Sequence, residues 1–376
     1  MSDNWIRLSR FFAKMVLLGF VLPGGFSSFV RAQSDTTRKE IKVLGLSLDT
    51  LLAIRSPKVD TNYIASYYEH LHLRLIGQGR DHFLQLVDKT NHLTYRPNGA
   101  SSVGVGASYS WLSAELTTRL PLITRNSRVA KGKTRQFGTS LSYNGRRVWF
   151  NTNYQSYRGL YLNNPDILDK DWFVLHSKYP QRPDVAIYTW YTSIYYCFNH
   201  ERFSNPASLM QRERQKKSAG SFLVGASMLF TQVKGDSSLF PRAVQPLFPT
   251  TSELIQYRSF GYSINAGYIR TFVFRNYFFA TLLGCPGVAL LNASSVSAGE
   301  NSRSLPVRVG WQGDSRVTVG YNNGRYFAGA TYAVVFLSGN LDGPSILRSV
   351  NTNIRLVAGL HFPFKPKGLL HKLPGF

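Results

Sequence analysis

Cysteine is nearly absent from this chain: Cys197 and Cys285 are the only two among 376 residues. Two cysteines are too few for a disulfide framework. No Cys-x-x-Cys pair is present, so the sequence also lacks the usual thiolate zinc and dithiol redox motifs. We therefore expect two isolated thiols that lie within strands.

Charged residues are also scarce, and acidic ones are the scarcest. They make up 17% of the chain, whereas soluble proteins average about 25%. The 44 basic residues outnumber the 20 acidic ones and give a formal net charge of +24. An aromatic content of 14% argues against disorder, because disordered chains contain few aromatic residues. Such basicity suggests an anionic partner, either nucleic acid or a phosphate-bearing membrane surface.

Long apolar runs are absent except near the amino terminus. There, Arg7, Arg10 and Lys14 precede the apolar run 15–22, and Ala32 offers a small residue for cleavage. This order is typical of a secretory signal peptide, and the run is shorter than the roughly 20 residues that a membrane helix needs. We expect cleavage near Ala32, without a lipid anchor because no cysteine stands there. An exported protein does not meet chromosomal DNA, so we expect no nucleic-acid partner.

What the chain does contain is alternation over about ten residues at a time. Apolar or aromatic residues take one series of positions, and small or polar residues take the other. Such rows run through 101–111, 137–155, 222–230, 259–268 and 353–362. A period of two over this length is the signature of strands with lipid on one face and a lumen on the other. A soluble sandwich also alternates, but its strands are usually about 5–6 residues long.

The connections between these rows divide into tight turns and long loops. Asn-Gly pairs at 144–145 and 323–324 predict hairpin turns, and residues 198–203 look similar. Long polar connections are expected at 121–134, 158–184, 234–256, 290–304 and 338–351. The connection at 234–256 falls on the rim that should carry short turns, so either a strand near it is missed or invented or the rule bends here. Pro286 predicts a bulge or break, because proline cannot donate to the ladder.

The fold class predicted is all-β: a transmembrane antiparallel β-barrel of about 12 strands (12–14), with short periplasmic turns and long extracellular loops. The predicted divisions are a signal peptide (1–32), a periplasmic segment (33–70), the barrel (71–364) and a basic tail (365–376). The expected location is the outer membrane of a Gram-negative cell. Expected partners are the lipid and lipopolysaccharide of that membrane and the barrel-assembly machinery. No cofactor is expected.

Eight short motifs, in this order, resemble a family of Bacteroidota outer-membrane β-barrels, domain of unknown function 4421. They are VDTNYI (59–64), YRPN (95–98), GVGASYSW (104–111), KGKT (131–134), RPD (182–184), RFS (202–204), QKKSAGSFLVGA (215–226) and KGD (234–236). The resemblance covers roughly residues 58–364, and the Lys-Ser-Ala-Gly-Ser-Phe core is its most specific part. It implies a barrel fold and an outer-membrane location, and it supplies no catalytic residues.

The inward series of each strand supplies the residues expected to line the lumen. They are Gly104, Gly106, Ser108, Arg147, Trp149, Asn151, Asn153, Gln155, Asn265 and Arg355. The densest charge run is 211–218, with Arg212, Arg214, Lys216 and Lys217. A solvated loop tip between two strands is its simplest interpretation. The alternatives are contact with lipopolysaccharide phosphates and a channel mouth that attracts anions.

Histidines are the residues from which an active site would be built. They are His70, His72, His82, His92, His176 and His200. His70 and His72 could share a face as a pair of metal ligands, but no third ligand is evident, so neither a metal site nor a catalytic site is predicted. The leading functional expectation is a small passive channel or a structural envelope barrel. An outer-membrane enzyme acting on lipid or glycan and a surface interaction module using the long loops are the alternatives.

Overall fold

The computed structural model describes residues 42–43, 46–47, 59–67, 69–99, 101–109, 112–119, 125–340 and 345–364. The predicted signal peptide and basic tail lie outside these residues. Residues 1–48 and 49–376 form separate compact units. In the first, β1 (Lys42–Val43) pairs antiparallel with β2 (Leu46–Ser47).

The second unit is built from long antiparallel strands, which confirms the predicted all-β class. The strands are β3 (Ile64–Ser66), β4 (His70–Asp88), β5 (Asn91–Pro97), β6 (Ser102–Tyr109), β7 (Leu112–Arg119), β8 (Arg135–Asn144), β9 (Val148–Leu162), β10 (Gln181–Cys197), β11 (Glu213–Gln215), β12 (Ala219–Lys234), β13 (Leu254–Phe274), β14 (Phe278–Ser297), β15 (Arg303–Ser304), β16 (Arg308–Asn322), β17 (Tyr326–Asn340) and β18 (Ile346–Pro363). Three short helices are described, α1 (Arg125–Lys131), α2 (Trp172–Leu175) and α3 (Asn205–Leu209), with 3₁₀ turns at Pro165–Ile167 and Arg242–Leu247. None of the described helices has the length and apolar character to cross a membrane.

The barrel closes as a ring of ten strands, not the 12 that the sequence predicted. Around the ring the order is β4, β5, β9, β10, β12, β13, β14, β16, β17 and β18, and β18 pairs with β4 from His70↔Pro363 to Val87↔Ile346. Three further strands, β6, β7 and β8, are not part of this closed ring. β6 and β7 extend from β4, β8 pairs with β9, and no pairing joins β7 to β8 among the described residues.

The difference arises because the strand after β4 keeps β4 on one side but changes its other neighbour halfway along, from β9 to β7. Its first part, β5, pairs with the end of β4 and bridges directly to Leu160–Leu162 of β9. Its second part, β6, pairs with the beginning of β4 instead. Asn98, between the two parts, donates from its backbone N–H to Thr134 Oγ1 (2.8 Å) and from its side-chain amide to the Gly132 carbonyl (2.8 Å). These bonds hold the chain between β5 and β6 against the start of β8. Because β5 pairs directly with β9 there, β7 and β8 are left outside the closed ring.

The two ends of the barrel carry different connections. At the turn end, where β4 begins and β18 finishes, the connections 145–147, 275–277 and 323–325 are tight turns. The connection 198–218 is at the same end, and it is long because it contains α3 and β11. The expected hairpin turn at 198–203 is therefore wrong. Counting 198–218 as one connection moves 235–253 to the opposite, loop end and removes the inconsistency in the sequence count.

Two predicted loops are largely strand, and the predicted bulge or break at Pro286 is a short lapse in pairing on one side of a continuous strand, without a register shift. β14 continues to Ser297 and β17 to Asn340, so the connections after them are shorter than the sequence indicated. Pro286 pairs with Gly313 of β16. On the β13 side the pairing lapses briefly near Pro286 and resumes in the same register, because a proline removes one N–H without removing the neighbouring ladder bonds.

Apolar side chains cover the outward face of the ring. Large ones stay strongly exposed on many strands, including Leu75 (66%), Phe222 (70%), Ile264 (77%) and Val309 (67%). Exposed apolar surface on this scale marks a membrane or partner contact. The alternation therefore separates an apolar outer face from the interior of the barrel.

Two hydrophobic cores fill the inside of the ring near its ends. The loop-end core brings Leu239, Phe240 and Phe248 of the connection 235–253 against strand residues such as Tyr95 and Tyr257. The turn-end core contains Trp149, Tyr195, Cys197, Phe203, Leu223, Ile269 and Cys285. A narrow barrel is filled by its own side chains in this way.

Candidate lumenal site

A polar cluster lies between the two cores, and Asp314 is at its centre. The hydroxyls of Tyr191 and Tyr195 on β10 both donate to Asp314 Oδ2 on β16. β10 and β16 are separated along the ring by β12, β13 and β14, so these side chains meet across the lumen. Asp314 keeps part of its surface accessible while the two tyrosines are buried. This arrangement satisfies a carboxylate that the interior would otherwise destabilise.

The same cluster continues through amide and hydroxyl groups of neighbouring strands. Asn265 donates to Tyr195 Oη (2.8 Å) and to Ser227 Oγ (2.9 Å), and it accepts from Ser263 Oγ (2.6 Å). Gln312 donates to Ser227 Oγ at 2.7 Å. A connected network of this kind fixes the positions of its members, because each loses partners if one moves.

A second polar cluster joins β18, β4 and β7. Arg355 and Arg74 both bind the carboxylate of Glu115: Arg355 Nη2 lies 2.5 Å and Arg74 Nη2 2.8 Å from Glu115 Oε1. Arg74 also donates to Ser108 Oγ at 3.0 Å. Gly106 lies between the partners on β6, where an added methyl group would come within 2.9 Å of Arg74 Nε. Glycine at this position therefore leaves room for the ion pair.

Arg80 occupies the lumen above this cluster. Its guanidinium crosses from β4 to the inward face of β8, where a methyl group on Gly138 would lie 2.6 Å from Arg80 Nη1. Gln78 accepts from Arg80 Nη2 at 3.4 Å and contacts Asn353 at 3.2 Å. Arg80 has no carboxylate partner among the described residues. The two clusters together place three guanidinium groups beside one carboxylate.

The connection 198–218 folds into the turn end, and we call it the turn-end plug. Arg146 binds the buried Glu213 through Nε (2.8 Å) and Nη2 (2.5 Å) to Oε1. Ser204 caps α3 by accepting from the Ala207 N–H (3.0 Å), and its hydroxyl donates to Glu213. β11 pairs with β3, which ties the plug to the segment that precedes the barrel.

His200 is a titratable group of this plug. It is 8% exposed, and its Nδ1 has no hydrogen-bond partner in the described structure. Burial lowers the pKa of His200 below its ordinary value, and the charges of Arg147 and Arg146 lower it further although Glu201 opposes them. The neutral imidazole is therefore the form that the plug favours.

The family-like motifs of the sequence meet at the two ends of the barrel. At the loop end, the hydroxyl of Tyr95 donates to the Leu239 carbonyl (2.6 Å), and Arg182 forms a bidentate pair with Asp184 (2.9 and 2.8 Å). At the turn end, Gln215 accepts from the Ser204 N–H at 3.0 Å. The motifs therefore fix how the ends close.

The residues predicted to line the lumen lie on strands, except Arg147, which lies in the tight turn 145–147. Asn265, Arg355, Ser108 and Gly106 belong to the clusters above, but Trp149 packs in the turn-end core. Gln155 accepts from Tyr157 Oη at 2.7 Å. The others, Gly104, Arg147, Asn151 and Asn153, are half-buried. Sequence reasoning thus placed the side chains on the inner face without showing which of them meet.

The charge run at 211–218 belongs to the turn-end plug and is not a loop tip between two strands. Arg212 is 5% exposed, and Arg214 lies over the Tyr277 ring at 5.2 Å. Lys216 and Lys217 are exposed; Lys216 Nζ donates to the Thr61 carbonyl at 2.9 Å. The run bends inward because Glu213, in its middle, forms a buried ion pair with Arg146.

The histidines do not gather at the loop end. His72 Nδ1 lies 2.6 Å from His361 Nδ1 at the turn end, with Tyr67 and His70 beside them. His82 is inside the barrel against Asn351. Within the described residues, no group of three or more His, Cys, Asp or Glu side chains is arranged to hold a metal ion.

Sequence reasoning named Glu115 as a partner for lumenal charges but missed Asp314, Arg80 and the buried role of Glu213. One signal was available for the first of them. In β16 the inward series Gln312, Asp314 and Arg316 is strongly polar for a strand interior. Its partners on β10 could not be found, because they lie four strands away around the ring.

The fold and lumen define an antiparallel β-barrel with an apolar exterior and a packed, polar-centred interior. The chain belongs to the family described as Domain of unknown function (DUF4421), whose model matches residues 58–362. No curated protein matches the chain in sequence.

Solved barrels show distant likeness. The translocator domain of the autotransporter NalP from Neisseria meningitidis has 10% identity and a TM-score of 0.31, covering 77% of this chain and 88% of its own. Ail of Yersinia pestis, solved with the heparin analogue sucrose octasulfate, has 12% identity and a TM-score of 0.19, covering 77% and 99%. The toluene transporter TodX of P. putida has 8% identity and a TM-score of 0.18, covering 79% and 91%. Scores this low carry no inference about role.

Proposed function

We propose that this protein is an outer-membrane β-barrel that is sealed along its axis and serves as a structural envelope barrel, not as an open channel. The outward apolar rows support a membrane location, since exposed apolar side chains follow most strands of the ring. A barrel with its strands in the outer membrane would be inserted by the barrel-assembly machinery and would contact lipid and lipopolysaccharide. The turn end would face the periplasm.

The observation that carries the proposal is the closure of both ends by buried side chains. At the loop end Phe240 and Phe248 are 2% and 0% exposed, and at the turn end Phe203 is 0% exposed and Glu213 is 0% exposed. An ion or solute that moved along the axis would have to displace both sets. Close-packed interiors do not yield such a path without rearrangement.

The orientation also bears on the charge run at 211–218. Lipopolysaccharide occupies the outer leaflet, whereas this run lies at the turn end with the beginning of β4 and the finish of β18. Contact between these residues and lipopolysaccharide is therefore not part of the proposal. The exposed Lys216 and Lys217 would instead face the periplasmic leaflet.

Planar-bilayer recording tests the sealed barrel. The purified mature protein is refolded in detergent, its fold is checked by heat-dependent gel migration, and it is then inserted at single-molecule density beside an open porin as the positive control. We expect insertion without steady unitary conductance. Stable ohmic conductance in the unmodified protein would instead establish a passive channel and overturn the proposal.

A further inference from the structure

Four exposed basic side chains lie on the outward face of neighbouring strands near the loop end. We call them the cationic patch: Arg135 of β8, Arg158 of β9, Lys234 of β12 and Arg258 of β13. Arg135 pairs directly with Arg158. One residue of β10, Ala186, pairs with both Arg158 and Lys234, and Arg258 pairs with Gln232, two positions from Lys234. The four cations are therefore near neighbours on one surface of the wall.

This patch carries more positive charge than its surroundings neutralise. Among the described residues, Arg158 is its one member within ion-pair distance of a carboxylate: Nη2 lies 3.8 Å from Asp236 Oδ2, and both side chains are more than half exposed. Asp184, which accepts from the Asp236 N–H at 3.2 Å, is already paired with Arg182. Like charges on directly paired residues destabilise a sheet, so an anion that contacts both Arg135 and Arg158 would stabilise this part of the wall.

A band of outward aromatic side chains lies next to the patch, on its turn-end side. On each of the four strands an aromatic residue stands two or four positions from the cation: Phe137, Tyr154, Phe230 and Phe260. The rings of Phe230 and Phe260 have centroids 4.7 Å apart. Tyr188 of β10 joins the band to the patch, because Lys234 Nζ lies 5.7 Å from the centre of its ring. Aromatic residues collect in this way where a barrel meets the membrane–water interface.

A second outward aromatic band marks the other interface. It contains Tyr196 of β10, Phe222 of β12 and Tyr268 of β13, each eight residues from the aromatic residue of the first band on its own strand. The rings of Phe222 and Tyr268 have centroids 5.0 Å apart. With its flanking positions, this interval is close to the roughly 9–11 residues that a tilted strand needs to cross the hydrocarbon. The cationic patch therefore lies just beyond the hydrocarbon, at the height of lipid headgroups.

A ligand for this patch must carry anions at the top of an acyl layer and must reach several strands. Neighbouring strands lie about 4.8 Å apart, so the four intervals from β8 to β13 extend about 19 Å. The single phosphate of a phospholipid reaches part of that distance. The lipid A portion of lipopolysaccharide carries phosphates at both ends of a sugar headgroup, above several acyl chains. Arginine and lysine bind phosphate through charge-assisted hydrogen bonds, so lipid A is the membrane lipid that fits the patch best.

We propose that the cationic patch and the aromatic band beside it form a binding site for one lipopolysaccharide molecule of the outer leaflet. The four cations hold its phosphates, and its acyl chains lie against Phe230 and Phe260. This assignment rests on the outer-membrane orientation proposed above, with the loop end outward. The two proposals fail separately. Steady conductance would reject the sealed barrel and leave the site, whereas loss of the lipid preference would reject the site and leave the seal.

Native mass spectrometry of the refolded mature protein tests the site. The barrel is equilibrated in detergent with diphosphorylated lipid A, with the same lipid A after enzymatic dephosphorylation, or with phosphatidylglycerol, and the lipid bound per barrel is counted as lipid concentration rises. We expect one diphosphorylated lipid A per barrel, bound at least about tenfold more tightly than either comparison lipid, as one additional charge-assisted contact would give. Inorganic phosphate is the probe for a soluble anion, and we expect it not to displace the lipid at equal concentration.

The variants Lys234→Gln and Arg258→Gln each remove one proposed phosphate ligand. We expect each to reduce the preference for phosphorylated lipid A by about tenfold. Lys234→Arg keeps the charge and should keep the preference. Arg348→Gln is the matched control, because Arg348 is an exposed arginine near the loop end of β18, on the opposite side of the ring. All of these positions are exposed, so the variants should fold, and heat-dependent gel migration checks that they do.

Equal binding of lipid A with and without its phosphates would overturn the proposal, as would a loss in Arg348→Gln as large as that in Arg258→Gln. Phosphatidylglycerol bound as tightly as lipid A would overturn the assignment to lipopolysaccharide, since a single phosphate would then suffice. Complete displacement by inorganic phosphate would also overturn it, because the patch would then recognise a soluble anion and not a lipid.

Discussion

The two ends of this barrel are closed by different physical means. At the loop end, apolar side chains of the connection 235–253 pack among apolar strand residues, so closure depends on buried area and volume. At the turn end, an apolar core that includes Phe203 is joined by the buried pair Arg146–Glu213, which a hydrogen bond links to Ser204. An apolar seal tolerates changes of shape better than changes of volume. A seal built on a buried ion pair does not tolerate the loss of either partner.

The largest expected effect is at the turn end. Glu213→Ala leaves the guanidinium of Arg146 buried without its carboxylate, and we expect it to lower the free energy of unfolding by about 3–5 kcal/mol. Urea unfolding in detergent micelles, followed by tryptophan fluorescence, measures the change. Glu201→Ala alters an exposed carboxylate of the same connection and should stay within about 0.5 kcal/mol. Equal effects of the two substitutions would contradict the account of the plug.

The corresponding change at the loop end is Leu239→Ala. It empties a fully buried site, so we expect a loss of about 2–5 kcal/mol, nearer the lower value because a loop can partly collapse. Leu239→Met preserves volume and should cost less than about 1.5 kcal/mol. Leu247→Ala, at an exposed leucine of the same connection, is the control. If Leu239→Met costs as much as Leu239→Ala, the apolar description of this end is wrong.

A smaller effect tests a polar contact within the apolar loop end. Tyr95→Phe removes the hydroxyl that donates to the Leu239 carbonyl at 2.6 Å, and we expect a cost of about 0.5–1.5 kcal/mol. Tyr188→Phe, at a half-buried tyrosine of β10, should change stability by less than about 0.5 kcal/mol. The same unfolding assay compares them. A Tyr95→Phe variant as stable as Tyr188→Phe would show that the loop end closes on apolar contacts alone.

The smallest effect expected is a pH dependence of the turn end through His200. Its pKa is lowered in the folded protein, so the unfolded chain binds the proton more readily. The contribution of His200 to stability is complete above its unfolded pKa of about 6.5 and is lost as pH falls below that value. Comparing the unfolding midpoints of the unmodified protein and His200→Gln at pH 8 and pH 5 measures it. We expect the variant to lose less stability on acidification, and an equal or greater loss would contradict the assignment.

The contrast between the ends also shows what the sequence could and could not predict. Alternation along single strands placed Asn265 and Arg355 on the inner face, because side-chain direction in a strand is a local property. It could not place Asp314 against Tyr191, since that contact depends on how the ring closes. Nor could it show that β5 and β6 share β4 as one neighbour but differ in the other, which is β9 for β5 and β7 for β6. This difference reduces the closed ring from the predicted 12 strands to ten.

The turn-end plug escaped prediction for a related reason. Residues 211–218 carry so many charges that a solvated loop was the natural interpretation. Glu213 makes that interpretation wrong. A carboxylate within a basic run can be buried when Arg146, which is distant in sequence, supplies its partner. The resemblance motif at 202–204 precedes this segment and the motif at 215–226 overlaps it, and the hydrogen bond from the Ser204 N–H to Gln215 joins the two motifs.

The reactivity of the two native cysteines tests the sealed interior most directly and needs no substitution. Cys197 and Cys285 are 0% and 1% exposed within the turn-end core. A membrane-impermeant maleimide, added to the folded barrel in detergent and again after unfolding in urea, reports whether water reaches them. The sealed barrel predicts no labelling in the folded state and two labels per chain in the unfolded state. Labelling of either thiol in the folded protein at a rate near that of the unfolded chain would contradict it.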